Sequence, residues 1–398
     1  MTVQAVKMRS RGFICVNAHP EGCRRNVVQQ IEGITSARPA GLSGPKNALV
    51  IGASTGYGLA SRIAAAWGYG ARTLGIFFER EPNGDRTATA GYYNNAGFHE
   101  RARQDGLFAA SLNCDAFADS AKRDAIAILK KEMAPVDLVI YSLASPRRTH
   151  PETGQTHESV LRPIGKEYKS KTIELDSERV VEVSIHPASE KEIADTVAVM
   201  GGDDWRRWIR ALLDEGLLAQ GARTLAYSYI GPEMTWPIYR DGTIGIAKKD
   251  LEAAAAAIDA ELRKRVGGRA WISVNKAVVT QASVAIPVVP LYKSLLFKIM
   301  KAKGLHEGAL EQMRRLFFEH LADGQTPKTD GGNRIRLDDR EMRADVQQGI
   351  AALWQQVNTE NLHAMTDFAG YKRDFRNLFG FEVDGVDYNA PVETDTRW

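Results

Sequence analysis

Short apolar runs alternate with helical patterns along most of the 398-residue chain. Apolar runs of strand length lie at 47–54, 73–79, 106–112, 136–143, 222–229 and 270–279. Helical spacing of apolar residues occurs at 57–67, 120–132, 205–219 and 250–265. Strands that alternate with helices are typical of a parallel sheet covered by crossover helices on both faces. The pattern therefore predicts the α/β class, with a Rossmann-like doubly wound parallel sheet.

Other segments depart from this alternation, and we expect them to be additions to one domain that spans residues 1–398. Residues 1–45 are predicted as an N-terminal extension packed on the domain, with a strand at 12–18 and a turn at 19–22. Residues 150–202 are predicted as an insertion, because a turn between the alternating runs 169–175 and 180–185 indicates a β-hairpin, with a helix at 190–200. Residues 281–325 are apolar and proline-broken, then helical, and a C-terminal addition follows them.

The composition is that of a globular protein, with 44% hydrophobic and 25% charged residues. A net charge of +3 gives no reason to expect nucleic acid as the main partner. Three cysteines, an odd number, suit a reducing compartment. Prolines and lysines break the apolar stretch 277–300, so stable membrane insertion is not expected. We expect a cytoplasmic protein without a metal site, because its histidines and cysteines lack ligand spacing.

A glycine-rich turn follows the first strand and opens a helix, with the sequence Gly-Ala-Ser-Thr-Gly-Tyr-Gly at 52–58. Glycines let the backbone turn tightly and approach a pyrophosphate, and the helix N-terminus supplies free N–H groups. The strand and the helix around the turn are the context that this interpretation requires. The predicted dinucleotide contacts here are Gly52, Ala53, Ser54, Thr55, Gly56 and Tyr57.

The second strand ends in Phe78 and Glu79, and Glu79 lies 21 residues after Gly58. A carboxylate there accepts hydrogen bonds from ribose hydroxyls and repels a 2′-phosphate, which favours NADH over NADPH, although Arg80 softens the exclusion. Ligands of such sheets bind at the carboxyl ends of the strands. The remaining predicted cofactor contacts are therefore Asp115, Ala116, Leu143, Ala144, Val278, Val279 and Thr280.

The candidates for the reacting end are Tyr239 and Lys248, which are nine positions apart. On one continuous helix that spacing would place them on opposite faces. We therefore predict Tyr239 in a loop and Lys248 on a helix that starts near Ile244 and is capped by Asp241 or Thr243. The ammonium would bind the ribose and lower the pKa of the tyrosine. The same spacing also fits an interfacial tyrosine and a surface lysine.

Tyr229 ends a predicted strand on the side where the cofactor is expected. Its hydroxyl is a candidate donor to a substrate carbonyl, whereas Tyr227 is expected deeper, and core packing is the alternative for both. The apolar segment 285–292 then suits a lid over an acyl chain, with 281–325 as the substrate-covering region, although plain core packing fits it equally.

The chain resembles the FabV-type enoyl-acyl-carrier-protein reductases and the related trans-2-enoyl-CoA reductases. The resemblance rests on the glycine-rich motif, on Tyr-x8-Lys and on Val-Val-Thr-Gln-Ala-Ser at 278–283, and it covers essentially the whole chain. Ordinary members of the short-chain dehydrogenase superfamily carry Tyr-x3-Lys with an upstream serine, where this chain has Ala226. The resemblance implies the fold of that superfamily and a monomer.

The same resemblance implies an oxidoreductase that uses NADH to reduce the trans-2 double bond of an enoyl thioester, the last step of fatty-acid elongation. The substrate would be carried by acyl carrier protein or by CoA. Tyr239 would be the proton donor, Lys248 a cofactor ligand and Tyr229 a substrate contact.

Two other functions stay open from the sequence: a carbonyl reductase for 3-oxoacyl or similar substrates, and a dinucleotide-binding protein without catalysis. Basic groups could dock an acidic carrier protein or the phosphates of CoA, or could simply be solvated. These groups are the pairs 147–148 and 314–315 and the cluster Lys298, Lys301 and Lys303.

Overall fold

The structure is a computed structural model that describes residues 2–11, 14–284, 286 and 288–398. The strands of this part of the chain are β1 (Val3–Gln4), β2 (Ser10–Arg11), β3 (Ile14–Cys15), β4 (Asn47–Ile51), β5 (Arg72–Phe77), β6 (Ala109–Asn113), β7 (Val136–Tyr141), β8 (Arg147–Thr149), β9 (Thr156–Glu158), β10 (Tyr168–Glu174), β11 (Arg179–Ile185), β12 (Leu218–Ser228), β13 (Arg269–Val274), β14 (Arg334–Arg336) and β15 (Val392–Glu393).

The α-helices are α1 (Pro20–Thr35), α2 (Gly56–Ile63), α3 (Ala90–Gln104), α4 (Asp119–Ile128), α5 (Glu190–Met200), α6 (Asp203–Asp214), α7 (Thr243–Val266), α8 (Gln281–Val284), α9 (Val289–Ala302), α10 (Ala309–Arg315), α11 (Ala344–Gln356), α12 (Leu362–Met365) and α13 (Phe368–Asn377). Helices α2, α4 and α10 continue into π-helical turns at Ala64–Gly68, Leu129–Met133 and Leu316–His320, and a 3-10 turn lies at Glu233–Thr235.

The central feature is a seven-stranded sheet in the order β14-β13-β12-β7-β4-β5-β6, with every neighbouring pair parallel. Large apolar cores cover both of its faces. This confirms the predicted α/β class with a Rossmann-like sheet. The strand order reverses between β4 and β7, and ligands of such sheets bind at the carboxyl ends of the strands beside that point.

The predicted hairpin is confirmed, since β10 pairs antiparallel with β11 from Tyr168–Ile185 to Glu174–Arg179. The predicted helix at 190–200 is confirmed as α5, and Ser189 and Glu192 cap its N-terminus reciprocally. The chain ends meet, because β1 pairs with β15. The N-terminal helix α1 packs on α3.

Several predicted boundaries are wrong. The predicted turn at 19–22 is the start of α1, where the His19 ring accepts the N–H of Gly22 and Pro20 begins the helix. The predicted helix at 205–219 ends at Asp214, because Gly216 adopts a φ of 64° before β12 begins. The predicted strand at 270–279 ends at Val274. The predicted strand at 12–18 lies partly outside the described residues.

Candidate functional site

The glycine-rich turn is packed so closely that side chains are excluded from it. Gly52 has a φ of 88°, and a Cβ there would lie 2.2 Å from the carbonyl oxygen of Ser142. A Cβ at Gly58 would lie 1.8 Å from the carbonyl oxygen of Gly52. Helix α2 begins at Gly56, and Thr55 precedes it without a side-chain cap, so the first N–H groups stay available to an anion. This cradle fits the pyrophosphate of a dinucleotide.

A cleft of about 760 Å³ lies at the carboxyl ends of the strands, beside the reversal point. The structure brings most of the predicted cofactor contacts together in its walls: Gly52, Ser54, Thr55, Gly56, Tyr57, Phe78, Glu79, Asp115, Ala116, Leu143, Ala144 and Thr280. The basic pair Arg147 and Arg148 lines the same cleft. The cleft therefore has the position and the residue set expected for NADH.

Four predicted contacts do not line the cleft. Val278 and Lys248 line a second, adjoining cavity, whereas Ala53 and Val279 line neither space. Ala53 is buried in the apolar core, and its N–H donates to the carbonyl of Ile76 at 3.0 Å. Val279 packs against the core around α9. Ala53 was predicted from its place in the glycine-rich motif and Val279 from its place after a predicted strand, and both pack against apolar cores instead.

Glu79 is fixed at the wall of the cleft. The hydroxyl of Ser54 donates to its Oε1 at 2.6 Å, and Asn113 binds its backbone N–H and carbonyl at 2.7 and 2.8 Å. A Cβ at Gly91 would lie 2.0 Å from Oε1, so the carboxylate also requires glycine on α3. Burial raises the pKa of Glu79, and the Ser54 hydroxyl opposes that shift. Asn113, which ends β6, was not predicted as a site residue from the sequence.

A second cavity of about 230 Å³ holds the predicted reacting end, with Tyr229, Tyr239 and Lys248 in its walls. Tyr57 and Thr280 line both this cavity and the cleft, so the two spaces share a wall. Val278 lines only the second cavity. The predicted lid contributes Ile286 and Val289 to it, whereas residues 285 and 287 of that prediction lie outside the described residues.

Tyr239 lies in a loop that ends before α7 begins at Thr243, which confirms the predicted separation from Lys248. The predicted cap is wrong, since Gly242 precedes the helix and no side chain caps it. The Thr243 hydroxyl instead donates to the carbonyl of Val160 and accepts from the N–H of Arg162. The hydroxyl that was predicted to cap α7 therefore binds the backbone of the insertion between β7 and α5.

The pKa of Tyr239 differs from the expectation. The Lys248 ammonium donates to the carbonyl of Tyr227 at 3.0 Å, and burial lowers the pKa of this lysine to about 8. The pKa of Tyr239 is raised, not lowered, first by burial and then by the charge of Glu341. Tyr239 is therefore a neutral phenol, the form that donates a hydrogen bond and a proton.

Tyr229 stands beside Tyr239, with the ring centroids 4.7 Å apart and the rings at 79°. Its hydroxyl donates to Glu341 Oε1 at 3.0 Å, so the expected donation to a substrate carbonyl is not the arrangement found here. Tyr227 also lines the cavity, and its hydroxyl is bound to the Ser61 hydroxyl.

Three buried charged residues around this cavity were not predicted from the sequence. Glu341 is fully buried between Tyr229, Tyr292 and the backbone of residue 277. Lys293 donates to the hydroxyl of Ser283 at 2.7 Å, and burial together with the charge of Lys276 lowers the pKa of Lys293 to about 7. The lysines in an apolar stretch were a weak signal, whereas nothing in the sequence around Glu341 marked it.

Most cations predicted to dock a carrier are engaged within the protein. Ion pairs hold Arg148 to Asp203, Arg315 to Glu307, Lys301 to Asp367 and Lys303 to Asp345. Lys298 donates to a backbone carbonyl. The predicted docking groups are therefore largely neutralised, and Arg147 is the exposed member that lines the cleft.

Within the described part of the chain, no helix combines the length and the apolar character needed to cross a membrane. Residues 2–11, 14–284, 286 and 288–398 also contain no cluster of three or more His, Cys, Asp or Glu side chains that could hold a metal ion.

The parallel sheet, the glycine-rich cleft and the adjoining tyrosine–lysine cavity together define a nicotinamide-dinucleotide-dependent oxidoreductase. Comparison with known families narrows this class. The model of the trans-2-enoyl-CoA reductase catalytic region matches residues 86–322, more than half of the chain. The model of the NAD(P)H-binding domain of trans-2-enoyl-CoA reductase matches residues 5–84. The chain belongs to the trans-2-enoyl-CoA reductase family.

Individual relatives agree over nearly the full length. The NADH-dependent enoyl-acyl-carrier-protein reductase of Opitutus terrae is 56% identical over 388 residues, 98% of each protein. The Treponema denticola trans-2-enoyl-CoA reductase, crystallised with NAD, is 49% identical over 99% of both chains, with a TM-score of 0.94. The Clostridium acetobutulicum trans-2-enoyl-CoA reductase, crystallised with NADH, is 41% identical over 98% of both chains, with a TM-score of 0.95. The resemblance seen in the sequence motifs is confirmed.

A third family model, described as an enoyl reductase FAD-binding domain, matches residues 329–392. This segment contains the short strands β14 and β15 and the helices α11 to α13, and it adds no residue to the cleft or to the tyrosine–lysine cavity. It also lacks the strand, glycine-rich turn and helix that hold a dinucleotide pyrophosphate. The segment does not fit a flavin site.

Proposed function

We propose that this protein uses NADH to reduce the trans-2 double bond of an enoyl thioester, with Tyr239 and Lys248 at the reacting end. The observation that carries the proposal is the wall of Tyr57 and Thr280 shared by the cofactor cleft and the tyrosine–lysine cavity. A nicotinamide that reaches that wall from the cleft would meet a substrate held beside Tyr239. Bound NADH supplies the hydride that C3 of the enoyl group receives.

Negative charge then develops on the thioester oxygen, and C2 needs a proton. The neutral Tyr239 hydroxyl donates a hydrogen bond to that oxygen and provides the proton, directly or through the enol. Lys248, on α7, would hold the ribose hydroxyls of the bound cofactor and add positive charge to the cavity. Tyr229 contacts the acyl thioester through its ring and keeps Tyr239 in place. The buried walls exclude water, which strengthens each of these interactions.

The carrier of the acyl group is acyl carrier protein or CoA, as in the names of the relatives. The exposed Arg147 at the cleft suits the phosphates of either carrier. The experiment compares kcat/KM for crotonyl-CoA with that for crotonyl-acyl-carrier-protein at saturating NADH. Turnover of at least one of them supports the proposal, and turnover of neither contradicts it.

The proposal includes a single-domain monomer in the cytoplasm, with residues 1–45, 150–202 and 281–325 as additions to the dinucleotide-binding domain. The pairing of β1 with β15 and the packing of α1 on α3 support the single-domain organisation. Light scattering after size exclusion tests the monomeric state, with one mass of about 44 kDa as the expected result. A dimer mass would contradict the monomer.

Replacing Glu79 by alanine is expected to weaken the preference for NADH over NADPH. The fixed carboxylate beside Ser54 would repel a 2′-phosphate, and like charges in contact cost several kcal/mol. The ratio of kcat/KM for the two cofactors should therefore shift toward NADPH by about tenfold or more. Steady-state kinetics with both cofactors measure the ratio.

The control is Glu81→Ala, because Glu81 is exposed two residues further on and lines no wall of the cleft. The control should keep the ratio of the unmodified protein. An unchanged ratio in Glu79→Ala would show that this carboxylate does not select the cofactor.

A further inference from the structure

Glu341 is a fully buried carboxylate in the loop between β14 and α11, and it contacts three other parts of the chain. Its Oε1 accepts the hydroxyl of Tyr229 at 3.0 Å and that of Tyr292 at 2.6 Å. Its Oε2 accepts the backbone N–H of Ala277 at 2.7 Å. All three partners donate, so an ionised carboxylate, which only accepts, suits this place.

The charge of Glu341 is not neutralised by an ion pair with any described residue. Lys276 stabilises it through space, whereas burial is the largest effect and raises the pKa of Glu341. Burying a carboxylate without an ion pair is costly, and such groups concentrate at functional sites. Glu341 lies directly behind the tyrosines of the reaction cavity, and this position indicates that the buried charge serves the reaction.

A tyrosine hydroxyl has one hydrogen, so a hydroxyl that donates to Glu341 cannot donate to a substrate. Tyr229 and Tyr292 both direct this hydrogen to Oε1, and they can only accept from the cavity that they line. The Tyr239 hydroxyl has no hydrogen-bond partner among the described residues. Tyr239 is therefore the tyrosine of this group whose hydrogen is available to a thioester oxygen.

We propose that Glu341 is a positioning residue for the reduction. It holds the hydroxyl hydrogens of Tyr229 and Tyr292, so that Tyr239 is the one of these three tyrosines that donates to the substrate. The inference rests on the proposed role of Tyr239 as the proton donor. The charge of Glu341 supports that role, because it raises the pKa of Tyr239 and keeps the phenol protonated. The bond to Ala277 ties the same carboxylate to the segment that leads to Val278 and Thr280.

Glutamine at position 341 has nearly the same shape as glutamate but accepts at one end only. If its oxygen accepts the N–H of Ala277, its NH₂ group faces Tyr229 and Tyr292 and must donate to their oxygens. Their hydroxyl hydrogens would then turn into the cavity and compete with Tyr239. The opposite orientation would place the NH₂ group against the N–H of Ala277. In either arrangement Tyr239 is no longer the one tyrosine whose hydrogen is directed to the substrate.

The experiment measures kcat and KM for crotonyl-CoA with NADH in Glu341→Gln, Tyr229→Phe and the double variant. We expect Glu341→Gln to lower kcat by about tenfold to a hundredfold, as when catalytic groups lose their alignment. The KM should change by less than about threefold, since the substitution leaves the apolar walls in place. In the Tyr229→Phe background the same substitution should cost less, because one of the two hydroxyls that it reorients is gone.

Asp338→Asn is the matched control. Asp338 is equally buried, three residues earlier in the same loop, and forms an ion pair with Arg336 instead of contacting a tyrosine. It should change kcat by less than about threefold. Tyr292→Phe is the second variant should Glu341→Gln fail to fold. It removes a hydroxyl that lowers the pKa of the buried carboxylate, so Glu341 holds the hydrogen of Tyr229 less firmly. A fall in kcat is again expected, and an unchanged kcat would contradict the role of Glu341.

Three results would overturn the role of Glu341: an unchanged kcat in Glu341→Gln, an equal loss in both Tyr229 backgrounds, or an equal loss in Asp338→Asn. Tyr239→Phe in the same assay separates this inference from the proposed function. Full activity of Tyr239→Phe would show that Tyr239 is not the proton donor, and the role of Glu341, which depends on Tyr239, would then also be wrong. An inactive Tyr239→Phe beside a fully active Glu341→Gln would overturn only the role of Glu341.

Discussion

Replacing Tyr239 by phenylalanine is expected to lower kcat by about a hundredfold to a thousandfold, the usual loss when a donor to a developing oxyanion is removed. The phenol is neutral, because burial and the charge of Glu341 raise its pKa. Phenylalanine keeps the ring and its contact with Tyr229 but removes the hydrogen bond and the proton. The KM for NADH should stay within about twofold, because the lost group binds in the transition state.

Tyr227→Phe is the control for Tyr239→Phe. Tyr227 lines the same cavity, but its hydroxyl is already bound to Ser61. Its removal should lower kcat by less than about fivefold, the cost of an ordinary internal hydrogen bond. Comparable losses in both variants would mean that the effect comes from packing in the cavity, and the proton-donor role of Tyr239 would then be wrong.

Replacing Gly58 by alanine is expected to abolish tight NADH binding. The added Cβ would lie 1.8 Å from the carbonyl oxygen of Gly52, a backbone atom that cannot rotate away. Helix α2 and the turn before it must separate, which destroys the cradle for the pyrophosphate. We expect the Kd for NADH to rise by more than about a hundredfold and the free energy of unfolding to fall by about 3 kcal/mol.

Fluorescence titration with NADH and thermal unfolding measure the two effects. Gly331→Ala is the control, because a Cβ at Gly331 would meet no atom within 4 Å and its backbone does not require glycine. It should leave both the Kd and the melting temperature nearly unchanged. A Gly58→Ala protein that binds NADH normally would contradict the assignment of the glycine-rich turn to the cofactor.

The features that the sequence predicted correctly depend on local signals. The strand before Gly52, the glycine-rich turn and the start of α2 are one continuous segment, so their pattern contains the information that forms the cradle. The loop position of Tyr239 followed from the helical repeat alone, because nine residues of helix could not bring it to the side of Lys248. The hairpin of β10 and β11 came from alternation around a turn.

The features that were missed depend on contacts between distant segments. Helix α3 lacks an amphipathic pattern because it buries polar residues such as Asn95 and His99 beside Arg62 and Ser111. Strand β14 has three residues and joins the sheet only through its pairing with β13.

The protonation of the site was missed for the same reason. The sequence placed a lysine near Tyr239 but could not show burial, nor the carboxylate of Glu341 a hundred positions away. The spacing of motif residues predicts which groups react, whereas the three-dimensional packing sets their charge states.

The most direct test of the central claim is a reaction of the purified protein with crotonyl-CoA and NADH, followed by NADH absorbance and by mass spectrometry of the thioester. Crotonyl-acyl-carrier-protein, acetoacetyl-CoA and NADPH form parallel arms. We predict loss of NADH with a crotonyl thioester and a product that has gained two hydrogens. Oxidation of NADH with acetoacetyl-CoA instead would define a carbonyl reductase, and NADH that binds without oxidation in every arm would define a dinucleotide-binding protein without catalysis; both would contradict enoyl reduction.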